Sequence, residues 1–115
     1  MRTLPALLVA CAALAACESV ASRPPNVSLY KYLGSVQCTG GGTPLPVMER
    51  QLTDAGVRVL TSACGADGNV YAAVCGAADG CIGIIEIPAT QTQAASKLGF
   101  APLSGLPGFT KAACP

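Results

Sequence analysis

The sequence predicts a small α+β domain, a two-layer β-α-β-β-β-α sandwich with two helices on one face of a four-stranded, disulfide-supported sheet. Three observations predict it. Short apolar runs flank one stripe of helical spacing, Gly, Pro and Asp-Gly steps separate the segments, and seven cysteines stand among only 115 residues. That length has room for one domain with a modest core. Aromatic residues make up 4% of the chain and Trp is absent, so the core must come from Val, Ile, Leu and Ala. These side chains bury less area each, and covalent staples supplement such a core.

Ser28 to Cys38 reads as the first strand, with Tyr30, Tyr32 and Val36 on one face and Leu29 and Leu33 on the other. Thr39-Gly40-Gly41-Gly42 is a loop. The first helix begins near Thr43 with Pro44 at its first position, where a missing N–H is harmless. Leu45, Met48, Leu52 and Ala55 then form one apolar stripe, which Gly56 ends. Val57 to Cys64 is the second strand, Asn69 to Cys75 the third and Cys81 to Ile87 the fourth. The turns between them carry Asp67-Gly68 and Asp79-Gly80, steps suited to positive φ. Pro88 opens the second helix, Ala89 to Leu98, and Gly99 caps it, with Phe100 placed for a capping contact. Ala101 to Pro115 is rich in Pro and Gly and is expected to be irregular, apart from a short edge strand after Gly99, and held down at Cys114. The arrangement resembles ferredoxin-like sandwiches, with one strand more than their usual βαββαβ.

Met1-Arg2-Thr3 is followed by an apolar run from Leu4 to Ala16. A positive start and roughly a dozen apolar residues match a secretory signal, and the run falls short of the ~20 residues of a membrane-spanning helix. Its end, Leu14-Ala15-Ala16-Cys17, resembles the lipobox of bacterial lipoproteins. The resemblance implies a signal peptide over residues 1–16, removed before Cys17, and a diacylglyceryl group on the Cys17 thiol. Glu18 stands where an Asp would favour inner-membrane retention, so the expected address is the outer membrane, facing the periplasm. Leu8-Val9-Ala10-Cys11 has the same pattern but leaves too short a hydrophobic region. Ala13-Leu14-Ala15 offers the alternative of ordinary secretion after an A-x-A cut. Glu18 to Val27, containing Pro24-Pro25, reads as a tether of at most about 35 Å. The expected organisation is therefore signal (1–16), lipidated Cys and tether (17–27) and one domain (28–115).

Charge and composition exclude several classes. Without Arg2 the chain carries six basic and six acidic residues, which leaves no electrostatic footprint for nucleic acid. The sequence has no His, and so lacks the commonest general base and metal ligand. Cys38, Cys64, Cys75, Cys81 and Cys114 are the disulfide candidates in an exported chain. Cys38 and Cys64 end two strands that run parallel, while Cys75 and Cys81 flank one loop and either could reach Cys114. The connectivity stays open, and five cysteines leave one odd thiol. No C-x-x-C pair suggests redox catalysis or a metal. The Thr39–Thr43 loop lacks phosphate-binding spacing. Asp67 and Asp79 are isolated turn residues, without the several oxygen ligands of a calcium site. Ser96 and Lys97 are adjacent on a helix and face apart, and Glu86 has no carboxylate partner at a readable spacing. The sequence therefore points to a non-enzymatic, lipid-anchored binding or structural module without cofactor. Its partners are the membrane, through the lipid, and an envelope protein or cell-wall component. A secreted disulfide-rich binder or inhibitor-like protein is the alternative, and a small thiol-based redox protein the third reading.

Overall fold

The computed structural model describes residues 25–115 and, ahead of them, Thr3 alone. The expected signal peptide, Cys17 and most of the tether lie outside the described residues. Strand β1 spans Asn26–Tyr32, helix α1 Leu45–Asp54, β2 Thr61–Ala66, β3 Cys81–Pro88, helix α2 Thr92–Lys97, β4 Ala101–Pro102 and β5 Thr110–Lys111. The strands form one sheet in the order β4-β1-β3-β2-β5, and every neighbouring pair is antiparallel. None of the described helices is long and apolar enough to cross a membrane.

The α+β class is as expected, but the sheet has five strands rather than four, and its membership differs. Residues 69–75 form no strand. Their alternating Val70, Ala72 and Val74 have no core to face, and Val70 is 100% exposed. The tail instead supplies β4 and β5, which pair with β1 and β2 through two residues each. The first four strands and two helices therefore run β-α-β-β-α-β, the connectivity of a split β-α-β sandwich, with β5 added on the β2 edge.

The helix layer follows from the apolar stripe. Pro44 precedes α1, whose Met48 and Leu52 are fully buried. Gly56, at φ 79°, ends the helix, and the Val57 amide donates back to the Leu52 carbonyl at 2.9 Å. Helix α2 is shorter than expected because Ala89–Gln91 forms a 3₁₀ turn before it. Its Gly99–Phe100 end matches the expected cap, with Phe100 buried and its amide bonded to the Ala95 carbonyl. Lys31 of β1 donates to the Leu98 carbonyl at 2.9 Å and lies 5.5 Å from the centre of the Phe100 ring. A cation is favourably placed at such a helix C-terminus.

Two clusters fill the space on either side of the sheet. Leu29, Leu33, Met48, Leu52, Ile85 and Ile87 belong to the helix side. Ile82 and Ile84 face the other way, against Leu103, Leu106, Phe109 and Tyr30. The tail thus works as a strap over the face that the helices leave open. Gly83 lets α1 approach β3, because a Cβ there would stand 2.5 Å from the Met48 sulfur and 3.2 Å from Leu45 Cδ1. Gly83→Ala should cost about 1–3 kcal/mol by overpacking. Gly105→Ala, with nothing within 4 Å of its Cβ, should be close to neutral. Urea denaturation midpoints of the two variants compare them directly, and equal midpoints would remove the close-approach argument.

Candidate functional site

The two Asp-Gly steps do not make separate hairpins. They meet at the base of one long loop joining β2 to β3, where the Asp67 amide donates to the Gly80 carbonyl at 3.0 Å. Gly68 and Gly80 both have positive φ, as those steps suggest. The Asp67 side chain, only 3% exposed, gathers the loop around itself. It accepts from the Tyr32 hydroxyl at 2.9 Å, the Asn69 amide at 2.9 Å, the Asn69 side chain at 3.1 Å and the Tyr71 hydroxyl. Gly80 is required beside it, since a Cβ there would lie 2.4 Å from the Tyr71 ring.

A second loop, residues 33–43, packs against the first. Val36 and Gly40 exchange backbone hydrogen bonds around a tight turn, and Cys38 sits in that turn at φ 72°. The Gln37 amide donates to the Ala77 carbonyl and the Gly76 amide to the Gln37 carbonyl. Cys38 is bonded to Cys75, with 5.1 Å between Cα atoms. The glycine loop is therefore part of a cross-linked loop pair.

The other disulfide joins Cys64 to Cys114 and ties the strap to β2. Cys38 and Cys64 do not pair, because β3 lies between β1 and β2. Cys114 likewise reaches neither Cys75 nor Cys81. Among the described residues Cys81 is the cysteine left without a bond. Burial, and then the neighbouring Asp79 carboxylate, push its thiol above the ordinary value, which disfavours the reactive thiolate.

The remaining candidates are not drawn together. Ser96 and Lys97 are exposed on α2, and Glu86 lies on β3 opposite Ser28 and Thr61. Tyr30 packs against Ile82 and Ile84, whereas Tyr32 turns its hydroxyl to Asp67. Among the described residues no group of three or more His, Cys, Asp or Glu is placed to hold a metal. Two hollows of about 360 and 350 Å³ lie beside the strap and beside Cys114, and neither is lined by a charged side chain.

The feature with no structural outlet is the rim of the β2–β3 loop. Val70 is 100% and Val74 61% exposed, and Ala72 and Ala73 are exposed between them. The peptide groups of residues 70–73 make no hydrogen bond within the described chain. Both flanks are nevertheless fixed, by Asp67 on one side and Cys38–Cys75 on the other. Sequence reasoning missed this rim by reading it as a strand. The available signal was an apolar run bracketed by Asp-Gly and Cys, with Tyr71 the one residue in it able to bond inward. The loop pair also lies at the end of the sheet opposite to where the chain enters β1. Asn26 pairs with Pro88 at one end, and Tyr32 with Ile82 at the other, about 20 Å away at ~3.3 Å per residue.

Comparison with protein-family models, with curated proteins and with solved structures finds no match.

Burial pushes the Asp67 carboxyl up, but the hydrogen bonds from Tyr71, the Asn69 amide and Tyr32 outweigh it and hold the group below its ordinary value. Burial, then the bond to Asp67, pushes the Tyr32 phenol up, and the same carboxylate raises Tyr71. The lowered acid contributes stability above its unfolded pKa of about 3.9, lost as pH falls through the folded value. The raised phenols contribute stability below about pH 10, lost as pH rises through theirs. Without Trp, absorbance at 295 nm follows the tyrosines cleanly. Asp67→Asn should shift two of the three back toward ordinary titration and cost about 1–3 kcal/mol. An unchanged alkaline titration would count against Asp67 as their common acceptor.

Proposed function

We propose that this protein is a lipid-anchored, non-enzymatic binding module of the bacterial cell envelope. It is held by Cys17 in the outer membrane with its domain facing the periplasm, and it offers the cross-linked loop end to another envelope protein. The single observation that carries the binding role is the rim itself, an exposed apolar segment fixed on both flanks. Monomeric domains normally bury such residues or blunt them with charge. Its lack of charged and hydrogen-bonding side chains favours a protein partner over a cell-wall glycan.

The anchoring part rests on Leu14-Ala15-Ala16-Cys17 and predicts one unpaired cysteine in the domain. Two bonds use four of the five domain cysteines, so a lipidated Cys17 leaves Cys81 alone. A secreted form would carry either two free thiols or a third bond between Cys17 and Cys81, since an extended tether is longer than the sheet. The geometry also suits an anchored protein. With β1 beginning at Asn26, a tether from Glu18 to Pro25 of at most about 28 Å and a sheet of about 20 Å would let the loop pair of an anchored protein stand up to about 48 Å from the acyl chains.

Cys17→Ala is the decisive variant. Wild type should fractionate with membranes and carry the mass of a diacylglyceryl group, and the variant should be recovered without either. Denatured but unreduced wild type should show one reactive thiol, that of Cys81. A soluble product of unchanged mass in both proteins ends the lipoprotein reading.

A further inference from the structure

We infer that the Gly68–Gly76 loop is a substrate-like segment that occupies the cleft of an endopeptidase preferring small aliphatic residues. The inference rests on the binding-module reading and names the class of partner. Endopeptidase clefts take a peptide as an added strand, pairing with its main chain and sorting alternate side chains into pockets. Residues 70–73 offer consecutive peptide groups with no partner in the described chain. Val70 stands fully exposed, while the neighbouring Tyr71 turns back to Asp67. Val70 is thus the side chain presented to the main specificity pocket. A pocket that demands Lys or Arg has nothing to take here, because the segment carries no charge, whereas a small apolar pocket is complementary.

Rigidity distinguishes this loop from an ordinary substrate. Asp67 pins its first residues and Cys38–Cys75 its last, so little freedom remains to be lost on binding. The Asp67–Gly80 pairing and the disulfide would also hold both halves in place after any cut, leaving the cleft occupied. A second copy of this chain is a poorer occupant. A rim of a few small residues falls well short of the roughly 1,200 Å² that a stable pair buries, whereas a concave cleft covers a protruding loop from both sides.

The test uses the exported protein carrying Cys17→Ala, with pancreatic elastase as the probe for small apolar specificity and trypsin as the control. Competitive inhibition of elastase with an inhibition constant below about 1 μM is expected, with no effect on trypsin. Val70→Asp should weaken it about 30-fold or more. Val70→Phe, at a position with no packing to disturb, should transfer inhibition to chymotrypsin. The Cys38→Ala/Cys75→Ala double variant should turn the loop into a readily cleaved substrate. The inference is overturned by absence of elastase inhibition, by wild-type cleavage as fast as that of the double variant, by an unchanged preference in Val70→Phe, or by loop-dependent dimers in sedimentation. A photocrosslinker at position 70 separates the two levels in the native envelope. A crosslink to a protein that is not a peptidase overturns this inference and leaves the binding module standing, and absence of any crosslink counts against both.

Discussion

Ile82 and Ile84 point from β3 toward the strap, while Ile85 and Ile87 point toward the helices, and all four are buried. A strand buried from both sides needs cover on both sides, and the rest of the molecule supplies it. Helix α1 presses on Gly83, α2 covers the far part of the same face through Ala95 and Phe100, and Leu103, Leu106 and Phe109 close the back. The order of the sheet follows, with β1 and β2 flanking β3 and only two-residue strands outside them. Each outer strand covers only two residues of its neighbour's edge.

At the end of the sheet, one carboxylate does for the loops what β3 does for the core. Asp67 is buried at the base of a long connection that has few apolar contacts of its own. Burying a charge is costly unless its oxygens are satisfied, and Tyr32, Asn69 and Tyr71 satisfy them. Tyr32 comes from β1, so the network fixes the loop to the sheet rather than only to itself. This explains how residues 70–73 can stand exposed while their peptide groups make no hydrogen bond among the described residues.

Much of this architecture is legible in residue spacing. The Leu45–Met48–Leu52 stripe, the Gly56 and Gly99 caps and the Cys81–Ile87 run each specify their element locally. What escaped was the destination of residues 69–75 and of the tail. Val70, Ala72 and Val74 alternate as a half-buried strand would, and periodicity alone does not show whether a core lies opposite. Apolar side chains on both faces of Cys81–Ile87 do carry that information, since they signal burial from two sides. With both helices on one face, the Pro- and Gly-rich tail covers the other among the described residues. Cysteine pairing was not legible, because it depends on β3 lying between β1 and β2, a relation no local pattern encodes. The importance of Asp67 was half-hidden for the same reason. As a turn residue it is ordinary, and its partner Tyr32 lies 35 positions away.

The two disulfides act in different places, and that difference bears on what the loop end is for. Cys64 is buried in the helix-side core, and its bond to Cys114 fastens the strap that closes the domain. By restricting the unfolded chain, either bond contributes about 2–4 kcal/mol. Cys38 and Cys75 are both exposed, and their bond joins two loops that contribute only Leu33, at the start of one of them, to the buried clusters. Cys38 even adopts the left-handed conformation, which costs a non-glycine residue about 1–2 kcal/mol. A surface bond that accepts backbone strain to join two exposed loops adds little to the packing of the core. Its local effect is to tie the end of the Val70–Val74 segment to the 33–43 loop, a restraint that suits the proposed binding role.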